Sequence, residues 1–352
     1  MKKMVAMLLT AAMVTALVGC GQAAAPATTE APAETKTEEA APAEETAEAE
    51  AEEAASAEGQ TYNVGICQLV EHPALDAATQ GFQDAITEAM GDSVNFDVQN
   101  AQGDSNTCST IVNSFVSNGV NLILANATPA LQAAAAGTNE IPILGTSVTE
   151  YGVALDIDNF SGIVGGNISG TSDLAPLDGQ ADIFTELLPD VKTVGLLYCS
   201  AEANSQYQVD KVGEFLEAKG ITCKQYAFAD SNDLSAVATS AANECEALYV
   251  PTDNTVASNA EIIQNICIPA KVPVVAGEEG ICAGCGIATL SISYYDLGVA
   301  TGKMAVKILT GEANVSDMPV EYAPEFTKKY NVANCEALGI TVPSDYVAIE
   351  AE

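Results

Sequence analysis

The 352-residue sequence has no arginine, no tryptophan and a single histidine, His72. Each absence excludes something. Without arginine, a buried anionic group cannot be met by the planar guanidinium fork that usually takes a carboxylate. With one imidazole, a histidine-based hydrolase lacks partners: Cys67 stands five residues earlier on a strand-like run, and that spacing makes no triad. Gly165-Gly166 lacks the rest of a dinucleotide fingerprint, and no Walker loop is present. Cys282-Ala-Gly-Cys285 suits half a metal site or a redox pair, but no second such pair or histidine cluster completes it. No cofactor or metal is expected, and no catalysis.

The chain is not homogeneous. Met1–Gly19 carries Lys2 and Lys3, then an apolar run, and ends before Cys20. A basic start, a short apolar centre and small residues at the end are the pattern of a secretory signal, too short and wrongly flanked for a membrane span. Leu17-Val18-Gly19-Cys20 resembles a bacterial lipobox, which makes Cys20 the expected lipidated residue. The alternative is an ordinary signal cut elsewhere. Residues 21–60 follow as a tether of Ala, Glu, Pro and Thr, with eleven glutamates against Lys36 alone. Such a segment has no apolar face to pack and repels itself, so it is expected to stay extended and hold a folded domain away from a membrane.

Thr61–Glu352 is the core, about 290 residues, and its 37 acids against nine lysines leave a charge of −28. That balance excludes nucleic acid and anionic lipid surfaces as partners. Its nine cysteines are an odd number, several of them inside apolar runs, which reads as small buried hydrophobes rather than a disulfide framework. Apolar strand-like runs (Tyr62–Cys67, Val94–Val98, Leu122–Ala125, Pro142–Leu144, Thr193–Tyr198, Thr222–Phe228, Ala247–Val250, Pro273–Val275, Ala288–Ile292) alternate with amphipathic stretches. Continuous apolar strands with helical crossovers mean α/β architecture with parallel sheets covered on both faces, and the length allows two such domains. The halves echo one another: "NVGICQLVEHPALD" and "TVGLLYCSAEANSQ" share a plan of strand, polar loop and helix, as do "NLILANATP" and "EALYVPTDNT". Ligands on open α/β sheets bind beyond the carboxyl ends of the strands, so two facing lobes enclose a cleft walled by these loops.

The stretches "VGICQLVEHPALDAATQGFQDA", "ATPALQ", "SDLAPLDGQADIFTELLPDVKTVGLLYCSAEANS", "VPTDNTVAS" and "YYDLGVATGKMAVKIL", in this order, resemble the tryptophan/tyrosine-type ABC transporter substrate-binding lipoproteins. The resemblance spans nearly all of Thr61–Ile349 and implies a type I periplasmic-binding-protein fold of two doubly wound lobes joined by three crossing strands. The implied division assigns 61–172 with about 294–320 to the first lobe, and 173–293 with about 321–352 to the second. It also implies an extracytoplasmic, membrane-anchored and monomeric receptor that delivers an amino acid-like ligand, an aromatic one by the family's habit, to an ABC permease by hinge closure. A sugar or nucleoside receptor of the same fold is the alternative, disfavoured because tryptophan is absent and arginine cannot clamp hydroxyls.

The site candidates follow from loop chemistry. His72 precedes Pro73 at a helix start, and the match to the family's His-Pro element implies that it lines the cleft. Otherwise it is a loop histidine packed beside the helix. Ala127-Thr128-Pro129 and Thr146-Ser147 follow buried strands and offer hydroxyl and N–H donors, which suits a ligand carboxylate in a protein without arginine, or plain helix capping. Asp253, with Asn254, ends the second lobe's strand and is the expected partner of an α-ammonium, or a helix cap. Asp173, Asn204 and Asp296 are weaker candidates of the same kind, and Tyr151, Tyr198, Tyr294 or Tyr295 is expected to wall an aromatic ring. Gly298-xxx-Gly302, on a helix with Lys303 and Lys307, is no membrane motif and is read as a close helix–sheet contact.

Overall fold

The computed structural model describes residues 61–349. The signal-like segment, Cys20 and the acidic tether lie outside the described residues. The chain starts with β1 (Tyr62–Gln68), α1 (Pro73–Met90), β2 (Val94–Asn100), α2 (Ser105–Asn118), β3 (Leu122–Asn126), α3 (Thr128–Gly137), β4 (Ile143–Val148), α4 (Tyr151–Ala154) and β5 (Ile168–Ser172). It continues with α5 (Leu177–Leu187), β6 (Thr193–Cys199), α6 (Ala203–Ala218), β7 (Thr222–Phe228), α7 (Ser231–Glu244), β8 (Ala247–Val250), α8 (Asn254–Ala257), α9 (Ala260–Ala270), β9 (Val274–Ala276), α10 (Glu279–Cys285) and β10 (Ala288–Ser291). The last elements are α11 (Tyr294–Leu309), β11 (Glu321–Tyr322), β12 (Thr327–Tyr330), α12 (Val332–Leu338) and β13 (Val347–Ala348).

Two sheets result, with strand orders β11-β5-β4-β3-β1-β2 and β13-β12-β10-β9-β8-β6-β7. The central strands are parallel, and β3 and β8 are buried along their whole length, as strands covered on both faces must be. β12 runs antiparallel to β10. The chain passes between sheets three times: after β5, between β10 and α11, and between β11 and β12. β11 pairs with β5, so the first sheet reaches two residues past the expected boundary at about 320.

Helix α11 returns to the first lobe and lies on α1. A side chain at Gly298 would come within 2.0 Å of the Ala78 carbonyl oxygen, and one at Gly302 within 2.7 Å of that of Phe82. The small residues therefore serve a helix–helix approach, which corrects the helix–sheet contact expected from sequence. All nine core cysteines are free thiols, eight of them buried, and Cys282 and Cys285 sit in the apolar core of the second lobe. No described helix is long and apolar enough to cross a membrane.

Candidate functional site

The loops that leave the carboxyl ends of β1, β4, β6, β8 and β9 meet between the lobes. Between them lies a narrow cavity of about 10 Å³, lined by His72, Ser147, Asp173, Asn204, Asp253, Asn254 and, among others, Tyr294. That is room for about one water, far below the roughly 300 Å³ upward of a small-molecule site. A solute of amino-acid size must therefore enter while the lobes are parted.

The first-lobe wall is held by its own hydrogen bonds. His72 caps α1 with an extended backbone, and Pro73 takes the first helical position, where no N–H is required. Behind it, Gln68 donates to Asp76 at 2.6 Å, Thr79 donates to Gln68 at 2.6 Å, and Asn126 donates to the Leu75 carbonyl at 2.8 Å. Ser147 has φ +54°, a conformation rare for residues other than glycine, at the end of β4.

The second-lobe wall is organised by Glu202, which is buried. Its carboxylate accepts from the Asn254 side chain at 2.6 Å, the Asn254 backbone N–H at 3.0 Å, and the Thr255 N–H and hydroxyl at 2.9 Å each. Asn204 donates to the Thr252 carbonyl at 2.9 Å, and Gln208 donates to the Thr252 hydroxyl at 2.6 Å. Two hydrogen bonds join the walls: His72 Nε2 to Asn254 Oδ1 at 3.2 Å, and the Thr149 and Thr252 hydroxyls at 3.3 Å.

Seven buried side-chain polar atoms among the described residues have no hydrogen-bond partner, and four of them belong to residues lining this cavity: His72 Nδ1, Ser147 Oγ, Asp173 Oδ1 and Asn204 Oδ1. A larger open groove runs beside the crossing segments, lined by Tyr295, Tyr322, Ala323 and the Glu279–Lys329 ion pair, and none of the seven residues lies on it. Buried polar atoms are normally satisfied, so their concentration makes this cavity the candidate binding site.

Asp253 lines the cavity and is also the helix cap that was the other expected role. It is fully buried, and its oxygens accept the N–H groups of Cys199 at 2.7 Å and Val256 at 2.9 Å. Burial and the nearby Glu202 charge push its carboxyl up to about 8. It is a structural cap that ties β6 to α8. Glu278, at the cavity edge, is likewise engaged by Gly280 and Ile281 N–H groups, and burial raises it to about 7. Asp173 is held by side-chain hydroxyls: Oδ2 accepts the Tyr294 hydroxyl at 2.9 Å, Oδ1 has no partner within hydrogen-bond geometry, and burial raises its pKa against the lowering effect of the Tyr294 and Thr149 hydroxyls.

Other sequence candidates fall elsewhere. Thr146 is sealed inside the first lobe, its hydroxyl 3.2 Å from that of Thr171. Ala127 and Thr128 are buried at the start of α3 but do not line the cavity. Asp296 is exposed and lies on the open groove. Of the four tyrosines, only Tyr294 reaches the cavity; Tyr151 and Tyr198 are core residues, and Tyr295 bonds Asp84 on the surface. Glu202, Leu75, Thr149, Thr252, Ala257 and Glu278 also belong to these walls, though none stands out in the sequence. Thr149 and Thr252 each stand one or two residues from named candidates and were within reach. Glu202 carried no signal beyond its place at a helix start.

The family model described as ABC transporter substrate binding protein matches residues 63–352, and the chain belongs to that family. It is 36% identical to a tyrosine-binding protein of Clostridioides difficile over 264 residues, which is 73% of this chain and 75% of that one. Among solved structures it resembles an ABC domain from Streptococcus pneumonia in complex with L-Trp, at 33% identity and TM-score 0.77, covering 81% of this chain and 97% of that one. It also resembles the ligand-free, open structure of a substrate-binding protein with adhesive properties from Clostridium difficile, at 38% identity and TM-score 0.63, covering 82% and 100%.

The capping role of Asp253 has a measurable consequence. Asp253→Ala strips the acceptor from two buried N–H groups, at about 1–3 kcal/mol for each such loss. The expected outcome in a thermal melt is a midpoint lowered by about 4 °C or more. An unchanged midpoint would contradict the structural reading of this residue.

Proposed function

We propose that this substrate-binding protein captures an aromatic amino acid, of the tyrosine or tryptophan kind, between its lobes outside the cytoplasmic membrane and passes it to an ABC permease, tethered by lipid on Cys20. The observation that carries the ligand chemistry is the set of unpartnered buried atoms in the cavity. Three of them, Asp173 Oδ1, Asn204 Oδ1 and His72 Nδ1, are suited to accept, and a primary ammonium has three N–H groups to donate. Asp173 supplies the counter-charge that burial of an ammonium demands, the role first expected of Asp253. Ser147 Oγ is the first-lobe donor toward the carboxylate, with Leu75, Ala257 and Tyr294 as the apolar side. The tyrosine-binding relative and the L-Trp complex support an aromatic side chain.

Closure is the working step. Neutral hydrogen bonds contribute about 0.5–1.5 kcal/mol each, so the two that join the lobes hold the closed form only weakly by themselves. A ligand bonded to both walls adds differential affinity for the closed form and shifts the population toward it. The fold matches the L-Trp complex better than the open clostridial structure, 0.77 against 0.63, although identity is higher with the latter, which supports reading these lobes as closed.

Asp173→Asn keeps an acceptor for Tyr294 but leaves the ammonium without its charge partner, a loss of about 3–5 kcal/mol. Calorimetry with L-tyrosine and L-tryptophan should show binding weakened at least a hundredfold, with the thermal midpoint of the free protein not lowered. N-acetyltyrosine should fail with the parent protein. Normal binding by Asp173→Asn would remove the ammonium from this position, and binding of a sugar or nucleoside in place of any amino acid would overturn the ligand class. For the anchor, Cys20→Ser should move the protein from the membrane to the soluble fraction on ultracentrifugation. A variant that still sediments with membranes contradicts lipid attachment there.

A further inference from the structure

The orientation of the Asn254 side chain follows from its neighbours. Its amide nitrogen faces Glu202 Oε2 at 2.6 Å, an acceptor only, so its Oδ1 is the atom turned toward His72 Nε2 at 3.2 Å. An acceptor facing Nε2 requires the proton on that nitrogen. In a neutral ring, Nδ1 then carries the lone pair, and Nδ1 is buried without a partner in the wall of the cavity.

From this geometry we infer that His72 is a specificity-determining acceptor: the Glu202–Asn254–His72 chain fixes its Nε2–H tautomer as the lobes close, so that Nδ1 takes a hydrogen bond from a donor group of the ligand, and acid releases that ligand by protonating Nδ1. This rests on the cavity being the amino acid site. Protonation does two things at once. It converts the only free ring acceptor into a donor, and it puts a second cation beside the ligand ammonium.

The groups acting on the ring are Asn254 and Glu202 from the second lobe and Asp76 on α1, while Asp173, Asp253, Glu278 and Tyr294 line the same cavity. Burial is the main cause that lowers the His72 pKa, against raising contributions from Asn254, Glu202 and Asp76. The sign is then settled. Closure favours the neutral ring, so it costs nothing above the ordinary histidine value of about 6.5 and is opposed, by up to about tenfold per pH unit, as pH falls below it. Asp173, Asp253 and Glu278 have raised values, and a carboxyl whose value rises on closing acts in the opposite sense. The histidine contribution must therefore be read as a difference between parent and variant.

The experiment uses the fact that His72 is the only histidine in the sequence, so the protein without an affinity tag gives one imidazole signal. Nitrogen-15 NMR of histidine-labelled protein with L-tyrosine at about pH 7.5 should show a neutral ring protonated at Nε2, with the Nδ1 resonance shifted by ligand addition. Calorimetry should show the ratio of parent to His72→Gln dissociation constants rising toward about tenfold per unit as pH falls below about 6.5, because glutamine can donate and accept but cannot titrate. His72→Ala should bind more weakly than His72→Gln at every pH. An Nδ1–H tautomer, an Nδ1 resonance indifferent to ligand, or identical pH profiles for parent and His72→Gln would overturn the inference while leaving the amino acid reading intact. Absence of amino acid binding at every pH would overturn both.

Discussion

The carboxylate of Glu202 is the interaction on which the site depends. It is buried with no lysine among the described salt-bridge partners, and it is satisfied by donors at the first turn of α8 and by the Asn254 amide. Its oxygens are thus satisfied by N–H and hydroxyl donors at a helix start rather than by a cation. From it follow the orientation of Asn254 and the state of His72 across the cleft, and its charge adds to the burial that raises Asp253 beside it. The protein builds a rigid polar wall from an acid where other proteins would use an arginine.

The absence of arginine shapes the rest of the site in the same way. Charge recognition is left to carboxylates and hydroxyls, so the cavity is rich in acceptors and poor in donors. That bias favours the amine end of a ligand over its acid end. Most cavity carboxyls are used internally as caps: Asp253 holds β6 to α8, and Glu278 holds the start of α10. Asp173 sits at the first passage between lobes, and Tyr294, which bonds it, sits at the second. The ligand charge proposed at Asp173 would therefore touch two of the crossing segments.

The two-lobed parallel architecture was legible because apolar runs such as Leu122–Ala125 and Ala247–Val250 are strands buried on both faces, with no alternation to confuse them. Short strands escaped for the opposite reason. Ile168–Ser172 reads as small and polar, and Glu321–Tyr322 has only two residues. His72, Ser147, Asp173, Asn204 and Asn254 were legible from their place after strand ends. The role of Asp253 was not, because a cap and a ligand carboxylate have the same sequence signature, and only the N–H groups of Cys199 and Val256 separate them. Thr146 misled because its side chain and that of Ser147 point to different sides of one strand, the first toward Thr171 inside the lobe.

The central claim is that a small amine-bearing ligand completes the unpartnered atoms of the closed cleft. A crystal structure of the protein grown with L-tyrosine tests it most directly. The account requires the ligand nitrogen within about 2.7–3.2 Å of Asp173 Oδ1, with His72 and Ser147 on one side and Asn204 on the other. A ligand seated in the open groove against Tyr322 and Ala323, or an ammonium bonded to Asp253 with the Asp173–Tyr294 pair untouched, would contradict it.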